Sequence, residues 1–204
     1  MILNLNQLYE KYNMNVTGVI HVGAHFGEEQ DAYKNLGIQK IIYFEPVSKT
    51  FKVLSEKVKD AILYNVALGN SEMEIEMFVE DLDRFGSSSI LKPSSNHIGF
   101  ATYSSKEKVQ MKRLDSYNFT DYNFLNLDVQ GYELEVLKGA QKTLNYVDYI
   151  MCEINRQTNL KPLEYEDISL IEDIEVFLSQ YGFKLVEANW AGLSWGDGFF
   201  IKNN

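Results

Sequence analysis

Three carboxylates occur at the ends of short apolar runs, where they are placed for binding or proton transfer. Glu45 ends the run KIIYFE, Asp128 ends NFLNLD, and Glu153 lies near the end of VDYIMCEI. A carboxylate accepts hydrogen bonds from hydroxyl groups, and a second carboxylate nearby raises its pKa, which makes it a better general base. These three residues are therefore the first candidates for a reaction site.

A glycine-containing turn, residues 21–27 (HVGAHFG), follows the apolar run TGVIHV. Glycines four residues apart suit a tight loop that lets a ligand approach the backbone. Glu45 follows Gly23 by about 20 residues, the offset at which an acidic residue binds the ribose hydroxyls of a nucleotide cofactor. The alternative interpretation is that the two glycines only end a strand and begin a helix, with no role in binding.

The composition of this turn disfavours a dinucleotide. His25 occupies the position of the middle glycine in G-x-G-x-x-G, and Glu28 and Glu29 would repel a pyrophosphate at the start of the next helix. S-adenosylmethionine has adenine and ribose, no phosphate and a cationic sulfonium, so an acidic pocket favours it. A nicotinamide-dependent sugar oxidoreductase or epimerase and a non-catalytic cofactor-binding protein stay open as alternatives.

The elements that must position these residues alternate between strand and helix. We expect strands over 17–22, 40–45, 61–66, 123–128, 147–154, 183–187 and 198–202. Helices are predicted over 28–37, from a Ser48 cap to Val58, along a 134–144 apolar face, and from 168 to Gly182. Such alternation predicts an α/β fold with a doubly wound, mostly parallel sheet, and the last two strands form a hairpin.

Ligands of such sheets bind beyond the carboxyl ends of the strands, where the strand order reverses, so the residues that follow each strand are the candidates for a site. The chain has no obvious linker, and we predict one domain over 1–204. Within it we expect an N-terminal helix in 1–15 and a β-rich middle region over 71–114, with Ile75, Met77 and Val79 on one side.

Charge and cysteine content narrow the function classes. A net charge of −10 over 204 residues disfavours nucleic acid and anionic lipid as partners, because phosphates would meet more repulsion than attraction. The lone cysteine, Cys152, excludes an intrachain disulfide. Without a signal-like N-terminus or an apolar run near ~18 residues, we expect a cytoplasmic protein with no membrane insertion.

Seven short motifs, taken in order, resemble those of a known enzyme family. They are VIHVGAHFGEE (19–29), YFEP (43–46), NVALGN (65–70), SSS (87–89), RLDSY (113–117), LNLDVQGYELEVLKGA (125–140) and MCEI (151–154). In these the chain resembles FkbM-type methyltransferases, a class I S-adenosylmethionine-dependent group, over about 18–202. The resemblance implies a Rossmann-like, seven-stranded sheet with an antiparallel last strand. It also implies O-methylation of a hydroxyl on a sugar or glycan.

The resemblance also implies which residues hold the cofactor. Glu45 would bind the ribose hydroxyls, and Asp128 would lie near the methionine end. The other implied contacts are His21, Gly23, Ala24, His25, Gly27, Pro46, Asn65, Ala67, Leu68 and Ser88. His21 stands where the family often has an acidic residue, and Asn126 stands where it often has lysine. These departures put the anchoring of the cofactor's amino group in question, although a neutral imidazole still accepts a hydrogen bond.

Methyl transfer to an alcohol requires a group that takes the alcohol's proton. Asp128 and Glu153 are the predicted catalytic residues, because they end strands that are expected to be neighbours. Contact with the cofactor alone, for Asp128, and a structural ion pair, for Glu153, are the alternatives. His25 and His97 are further candidate bases, although single histidines more often have structural roles.

A magnesium ion and the acceptor are the least specified parts of this prediction. Asp128 and Glu153, with Asn126 or Asn155, offer oxygen ligands of the kind that Mg²⁺ prefers, but no spacing motif supports a metal site. The segment 189–197 (NWAGLSWGD) is expected to be a loop over the outer face of the site. Its aromatic rings suit a carbohydrate, and burial of those rings in the hairpin explains them equally well.

Overall fold

The computed structural model describes residues 2–82, 86–94, 101–159 and 163–203, so His97 lies outside the described residues. The helices are α1 (Leu5–Lys11), α2 (Gln30–Asn35), α3 (Ser48–Lys57), α4 (Glu133–Lys138) and α5 (Ile171–Ser179). The strands are β1 (Val19–Val22), β2 (Ile41–Phe44), β3 (Ile62–Tyr64), β4 (Ala67–Leu68), β5 (Met73–Val79), β6 (Ser105–Lys112), β7 (Phe124–Leu127), β8 (Tyr149–Asn155), β9 (Phe183–Ala191) and β10 (Trp195–Lys202).

Seven strands form the main sheet, in the order β3-β2-β1-β7-β8-β10-β9. Neighbours from β3 to β8 are parallel, whereas β10 runs antiparallel to both β8 and β9. This confirms the predicted α/β class and the antiparallel last strand. The strand order reverses between β1 and β7, so a ligand-binding crevice is expected at the carboxyl ends of these two strands.

The register of the central strands brings the candidate residues side by side. Val22, the last residue of β1, pairs with Phe44 of β2 and with Leu127 of β7. The residue that follows β1 is Gly23, the residue that follows β2 is Glu45, and the residue that follows β7 is Asp128. These three residues therefore leave the sheet at the same level.

Helices cover both faces of the sheet, which explains why the central strands are continuous apolar runs. Val19 and Phe124 pack on the face covered by α1 and α2, and their neighbours Ile20 and Leu125 pack on the face covered by α4 and α5. Alternate side chains of one strand thus enter separate core clusters. All residues of β1, β2 and β7 are buried.

A second, smaller sheet forms from the middle region, in the order β4-β6-β5. Strands β5 and β6 pair antiparallel from Met73 opposite Met111 to Val79 opposite Ser105. Its apolar side forms a third core cluster, to which Ile75, Met77 and Val79 contribute. This sheet places Ala67, Leu68 and Met77 beside the carboxyl edge of the main sheet.

The predicted helical face over 134–144 is interrupted. Helix α4 ends at Lys138, and a short 3₁₀ turn, Thr143–Asn145, follows. The carbonyl of Gly139 accepts a hydrogen bond from the Asp115 N–H (3.1 Å), and the Asp115 carboxylate accepts those of Lys142 and Thr143. These tertiary contacts end the helix, although Leu137, Ala140 and Leu144 are all buried as the apolar pattern indicates.

Two further local predictions were wrong. Ser48 is the first residue of α3, not its cap, and both its N–H and its hydroxyl bond to Glu107. Strands β9 and β10 are longer than expected, so most of segment 189–197 is paired, with Trp190 opposite Gly196. The Arg156 guanidinium lies 4.0 Å from the Trp190 ring centre, so this tryptophan packs within the hairpin region instead of lying on a loop.

The N-terminal segment lies against the β9–β10 hairpin. The N–H groups of Ile2 and Leu3 donate to the buried Asp197 carboxylate, and the Tyr12 hydroxyl donates to Glu187 at 2.9 Å. The Asn4 side chain accepts from the Gln7 N–H and caps α1. No helix in the described part of the chain has both the length and the apolar character needed to cross a lipid bilayer.

Candidate functional site

A cleft opens to solvent at the carboxyl ends of β1, β2 and β7. Eight of the predicted cofactor-binding residues line it: Gly23, His25, Glu45, Pro46, Ala67, Leu68, Ser88 and Asp128. Val47, Val66, Met77 and Ile90 add apolar surface to the wall. Residues from the first, second and fourth parallel strands thus share one cleft with residues of the small sheet.

The turn after β1 passes very close to the turn after β7. Gly23 has a φ of +80°, and a Cβ at this position would lie 1.8 Å from the carbonyl oxygen of Asp128. The N–H groups of Gly23 and Ala24 both donate to the Phe44 carbonyl, at 2.9 and 3.0 Å. Only glycine fits here, and it lets the turn after β1 lie against the turn after β7.

Glu45 ties the first two turns together from a buried position. Its side chain is only 6% exposed. One carboxylate oxygen accepts from the His25 N–H and the other from the Val47 N–H, both at 2.9 Å. Glu45 also lines the cleft, so the side chain that fixes the backbone on both sides is part of the cleft wall.

Four predicted cofactor residues lie outside the cleft wall: His21, Ala24, Gly27 and Asn65. The Asn65 amide donates to the carbonyls of Glu45 and Pro46, both at 2.9 Å, so it supports the turn after β2. A Cβ on Gly27, whose φ is +70°, would lie 2.8 Å from Leu54, so this glycine lets α2 pack against α3.

His21 is buried beneath the first turn, where it contacts polar groups from α2 and β7. The Tyr33 hydroxyl lies 3.2 Å from its Nδ1, and the same hydroxyl accepts from the Asn126 amide at 2.6 Å. The Glu29 carboxylate lies 4.0 Å from this nitrogen. Burial lowers the pKa of His21, so the imidazole is neutral in this position.

Asp128 and Glu153 are brought together by the pairing of β7 with β8, as the sequence predicts. Leu127 pairs with Cys152, so the residues that follow are adjacent. The Nε2 of Gln130 donates to both carboxylates, at 2.8 Å to Asp128 and 2.9 Å to Glu153. Burial, followed by the charges of Asp128 and Glu133, raises the pKa of Glu153 well above its usual range.

Sequence reasoning missed Gln130 and Glu133, which shape the turn after β7. Glu133 is fully buried, and one of its oxygens accepts from the N–H groups of Val129 (2.9 Å) and Gly131 (3.2 Å). Burial raises the pKa of Glu133 to about 7. Both residues lie within the LDVQGYE run, and their polar character between apolar neighbours was the available signal.

The raised pKa of Glu133 predicts a specific pH dependence of stability. Because the folded protein binds this proton more tightly than the unfolded chain does, the contribution is complete below pH 4.5 and is lost as the pH rises through about 7. Glu133→Gln removes this titration. We expect the free energy of unfolding of wild type to fall, relative to the variant, by on the order of 2 kcal/mol between pH 4.5 and pH 8.

Denaturant unfolding of both proteins across this pH range measures the effect. Glu172→Gln, on an exposed position of α5, is the matched control and should follow wild type. If the difference between Glu133→Gln and wild type is the same at pH 4.5 and pH 8, the assignment of a buried, proton-binding Glu133 is wrong.

The possibility of a magnesium ion finds no support in the described residues. Within the ranges that the structure describes, no three His, Cys, Asp or Glu side chains are grouped so as to hold a metal ion. The Gln130 amide donates to both Asp128 and Glu153, where a cation would have to be. The Asn126 amide donates instead to Tyr33.

A model of the Methyltransferase FkbM domain family matches residues 21–185 of the chain. No curated protein sequence matches it significantly. Among solved structures, it is similar to the methyltransferase FkbM from Methylobacillus flagellatus KT, with a TM-score of 0.58 and 11% identity over 96% of this chain and 47% of that one. The chain thus spans about half the length of that relative.

Two other solved structures share the fold. Magnesium protoporphyrin IX methyltransferase from Synechocystis PCC 6803, solved with bound S-adenosylmethionine, has a TM-score of 0.52 and 9% identity over 97% of this chain and 76% of that one. An S-adenosylmethionine-dependent methyltransferase from Aquifex aeolicus has a TM-score of 0.53 and 11% identity over 96% of this chain and 88% of that one. At these identities the similarity shows a common fold.

Proposed function

The chain belongs to the FkbM methyltransferase domain family, and from this premise we propose that it transfers a methyl group from S-adenosylmethionine to a hydroxyl of a sugar or glycan. The observation that carries the proposal is the buried carboxylate of Glu45, which lines the cleft next to the Gly23 turn. A ribose requires an acceptor for its hydroxyl protons at this strand end. The remaining residues of the cleft fit the other parts of this cofactor.

The cleft suits a nucleoside that carries no phosphate. Each oxygen of a carboxylate can accept more than one hydrogen bond, so Glu45 can hold the turns and accept ribose hydroxyls at the same time. Pro46, Ala67 and Leu68 offer an apolar wall for adenine. Asp128, at the opposite side of the Gly23 turn, suits the cationic end of the molecule.

When bound, S-adenosylmethionine supplies an electrophilic methyl group. The protein must then orient an acceptor hydroxyl and take its proton. Glu153 and Asp128 provide carboxylates at the neighbouring strand ends for this proton. We assign the acceptor to the sugar or glycan class on the family resemblance, and the net charge of −10 supports such an acceptor over a nucleic acid.

Isothermal titration calorimetry with S-adenosylmethionine, S-adenosylhomocysteine and NAD tests the cofactor assignment. We expect heat with the first two compounds and none with NAD, because the turn has no middle glycine and carries Glu28 and Glu29. NAD binding without any S-adenosylmethionine heat would support an oxidoreductase instead. Methyl transfer to a panel of neutral glycans then tests the acceptor class, and binding without turnover on any of them would favour a non-catalytic protein.

Glu45→Ala should weaken the binding of S-adenosylhomocysteine by about 1.5–3 kcal/mol, since a hydrogen bond to a charged group is lost. Calorimetry measures the change, and circular dichroism checks that the variant is folded. Glu56→Ala, on an exposed position of α3, removes the same charge and should leave the affinity unaltered. An unchanged affinity in folded Glu45→Ala would refute the role of Glu45 in ribose binding.

A further inference from the structure

Gln130 is held in an unusual backbone conformation beside the cleft. Its φ is +55°, in the left-handed region that non-glycine residues rarely adopt, and Gly131 after it has a φ of +95°. The Ser89 hydroxyl donates to the Gln130 carbonyl at 2.8 Å, and Glu133 binds the N–H groups on either side. The turn is therefore fixed from two directions, and the strain points to a role for this side chain.

The orientation of the Gln130 amide is set by its neighbours. The Tyr165 hydroxyl, which is buried and donates to the Ser87 carbonyl at 2.7 Å, lies 3.3 Å from the Gln130 Oε1. On the other side lie the carboxyl groups of Asp128 and Glu153, each within hydrogen-bond distance of the Gln130 Nε2. The amide nitrogen faces the two carboxylates, and the oxygen faces Tyr165.

Among the described residues, the charged groups that act most strongly on Glu153 are acidic. They come from the β7 turn, from α4, from β10 and from the segment before Tyr165: Asp128, Glu133, Asp197 and Glu164. Each of them disfavours a second negative charge beside Asp128. Within this surrounding, the donor shared by Asp128 and Glu153 is the neutral amide of Gln130.

We propose that Gln130 is the positioning residue of the acceptor site, and that its amide holds the Asp128 and Glu153 carboxylates together so that one of them accepts the proton of the acceptor hydroxyl. The inference rests on the proposed function for its reaction, and on the shared hydrogen bonds for its geometry. In this role Gln130 influences the pKa values of Asp128 and Glu153. A residue that only stabilised the turn would leave those pKa values unchanged.

Carboxyl-detected NMR titration of the ¹³C-labelled full chain tests this role without an acceptor. Gln130→Met keeps the length of the side chain and the left-handed backbone cost but removes the donor. We expect the apparent pKa values of the two carboxyl groups to rise by about one unit, because the hydrogen bonds favour the ionised forms. Gln39→Met, at an exposed position before β2, is the matched control and should leave the pair unaltered.

Two further readouts keep the proposal falsifiable if Gln130→Met does not fold. Gln130→Glu adds a third carboxylate and should raise the apparent pKa of the pair more than Gln130→Met does. In wild type, the Asp128 and Glu153 signals should each respond to the titration of the other. Independent titration in wild type, or an unchanged pair in either folded Gln130 variant, would overturn the proposal.

The calorimetric test separates this inference from the proposed function. If S-adenosylhomocysteine does not bind wild type, the proposed function fails while the titration of the pair still decides the role of Gln130. If the cofactor binds but substitution of Gln130 leaves the pKa values of Asp128 and Glu153 unchanged, the role of Gln130 is refuted and the proposed function stands.

Discussion

We expect Glu153→Gln to lower the single-turnover rate of methyl transfer about 10²–10⁴-fold at saturating S-adenosylmethionine, the usual contribution of a general base. Glu153 lies outside the cleft wall, so the affinity for S-adenosylhomocysteine should stay within about twofold of wild type, a difference of roughly 0.4 kcal/mol. Its raised pKa also predicts that the wild-type rate increases with pH as this carboxyl ionises. Rapid-quench measurement over a pH series, with a glycan acceptor from the panel, records both effects.

Asp128→Asn provides the comparison, because Asp128 lines the cleft and Glu153 does not. We expect this variant to lose cofactor affinity as well as rate. Glu166→Gln, an exposed carboxylate that pairs with Lys92, is the control and should keep both. Full rate in folded Glu153→Gln would exclude Glu153 as the base, and full rate in both variants would exclude the pair.

Gly23→Ala is expected to abolish measurable cofactor binding and to destabilise the protein. The left-handed φ of +80° costs about 1–2 kcal/mol for alanine. The Cβ would lie 1.8 Å from the Asp128 carbonyl, so the turns after β1 and β7 must also separate, at a further cost of about 1–3 kcal/mol. Calorimetry with S-adenosylhomocysteine and thermal unfolding measure the two consequences.

Gly37→Ala measures the cost of the left-handed backbone conformation by itself. Gly37 has a φ of +76°, but a Cβ there meets nothing within 4 Å. This variant should lose the same 1–2 kcal/mol of stability, from strain alone, and should bind the cofactor as wild type does. If Gly23→Ala and Gly37→Ala behave alike in both measurements, the close contact between the two turns is unimportant for the site.

The α/β class and the candidate residues at the strand ends were predictable because their causes are local. A buried parallel strand is recognised in the sequence as a short apolar run. The residue that follows it lies at the ligand-binding edge of the sheet, whichever strands are its neighbours. This is why Gly23, Glu45 and Asp128 were identified before the register was known. The pairing of Asp128 with Glu153 required only that β7 and β8 be neighbours.

The features that the sequence did not reveal depend on contacts between distant segments. Gly139 ends α4 because its carbonyl is bound by the Asp115 N–H, which no periodicity in 134–144 indicates. The role of Gln130 depends on Ser89 and Tyr165, which approach it from separate parts of the chain. His21 has the motif position of a cofactor contact, yet the burial of its ring beside Tyr33 places it below the turn.

A crystal structure with S-adenosylhomocysteine tests the central claim most directly, because it shows where the adenosine ribose is bound. We predict both ribose hydroxyls within hydrogen-bond distance of the Glu45 carboxylate, with adenine against Pro46 and Leu68. An adenosine bound elsewhere, out of reach of Glu45, would contradict the assignment of this cleft as the cofactor site.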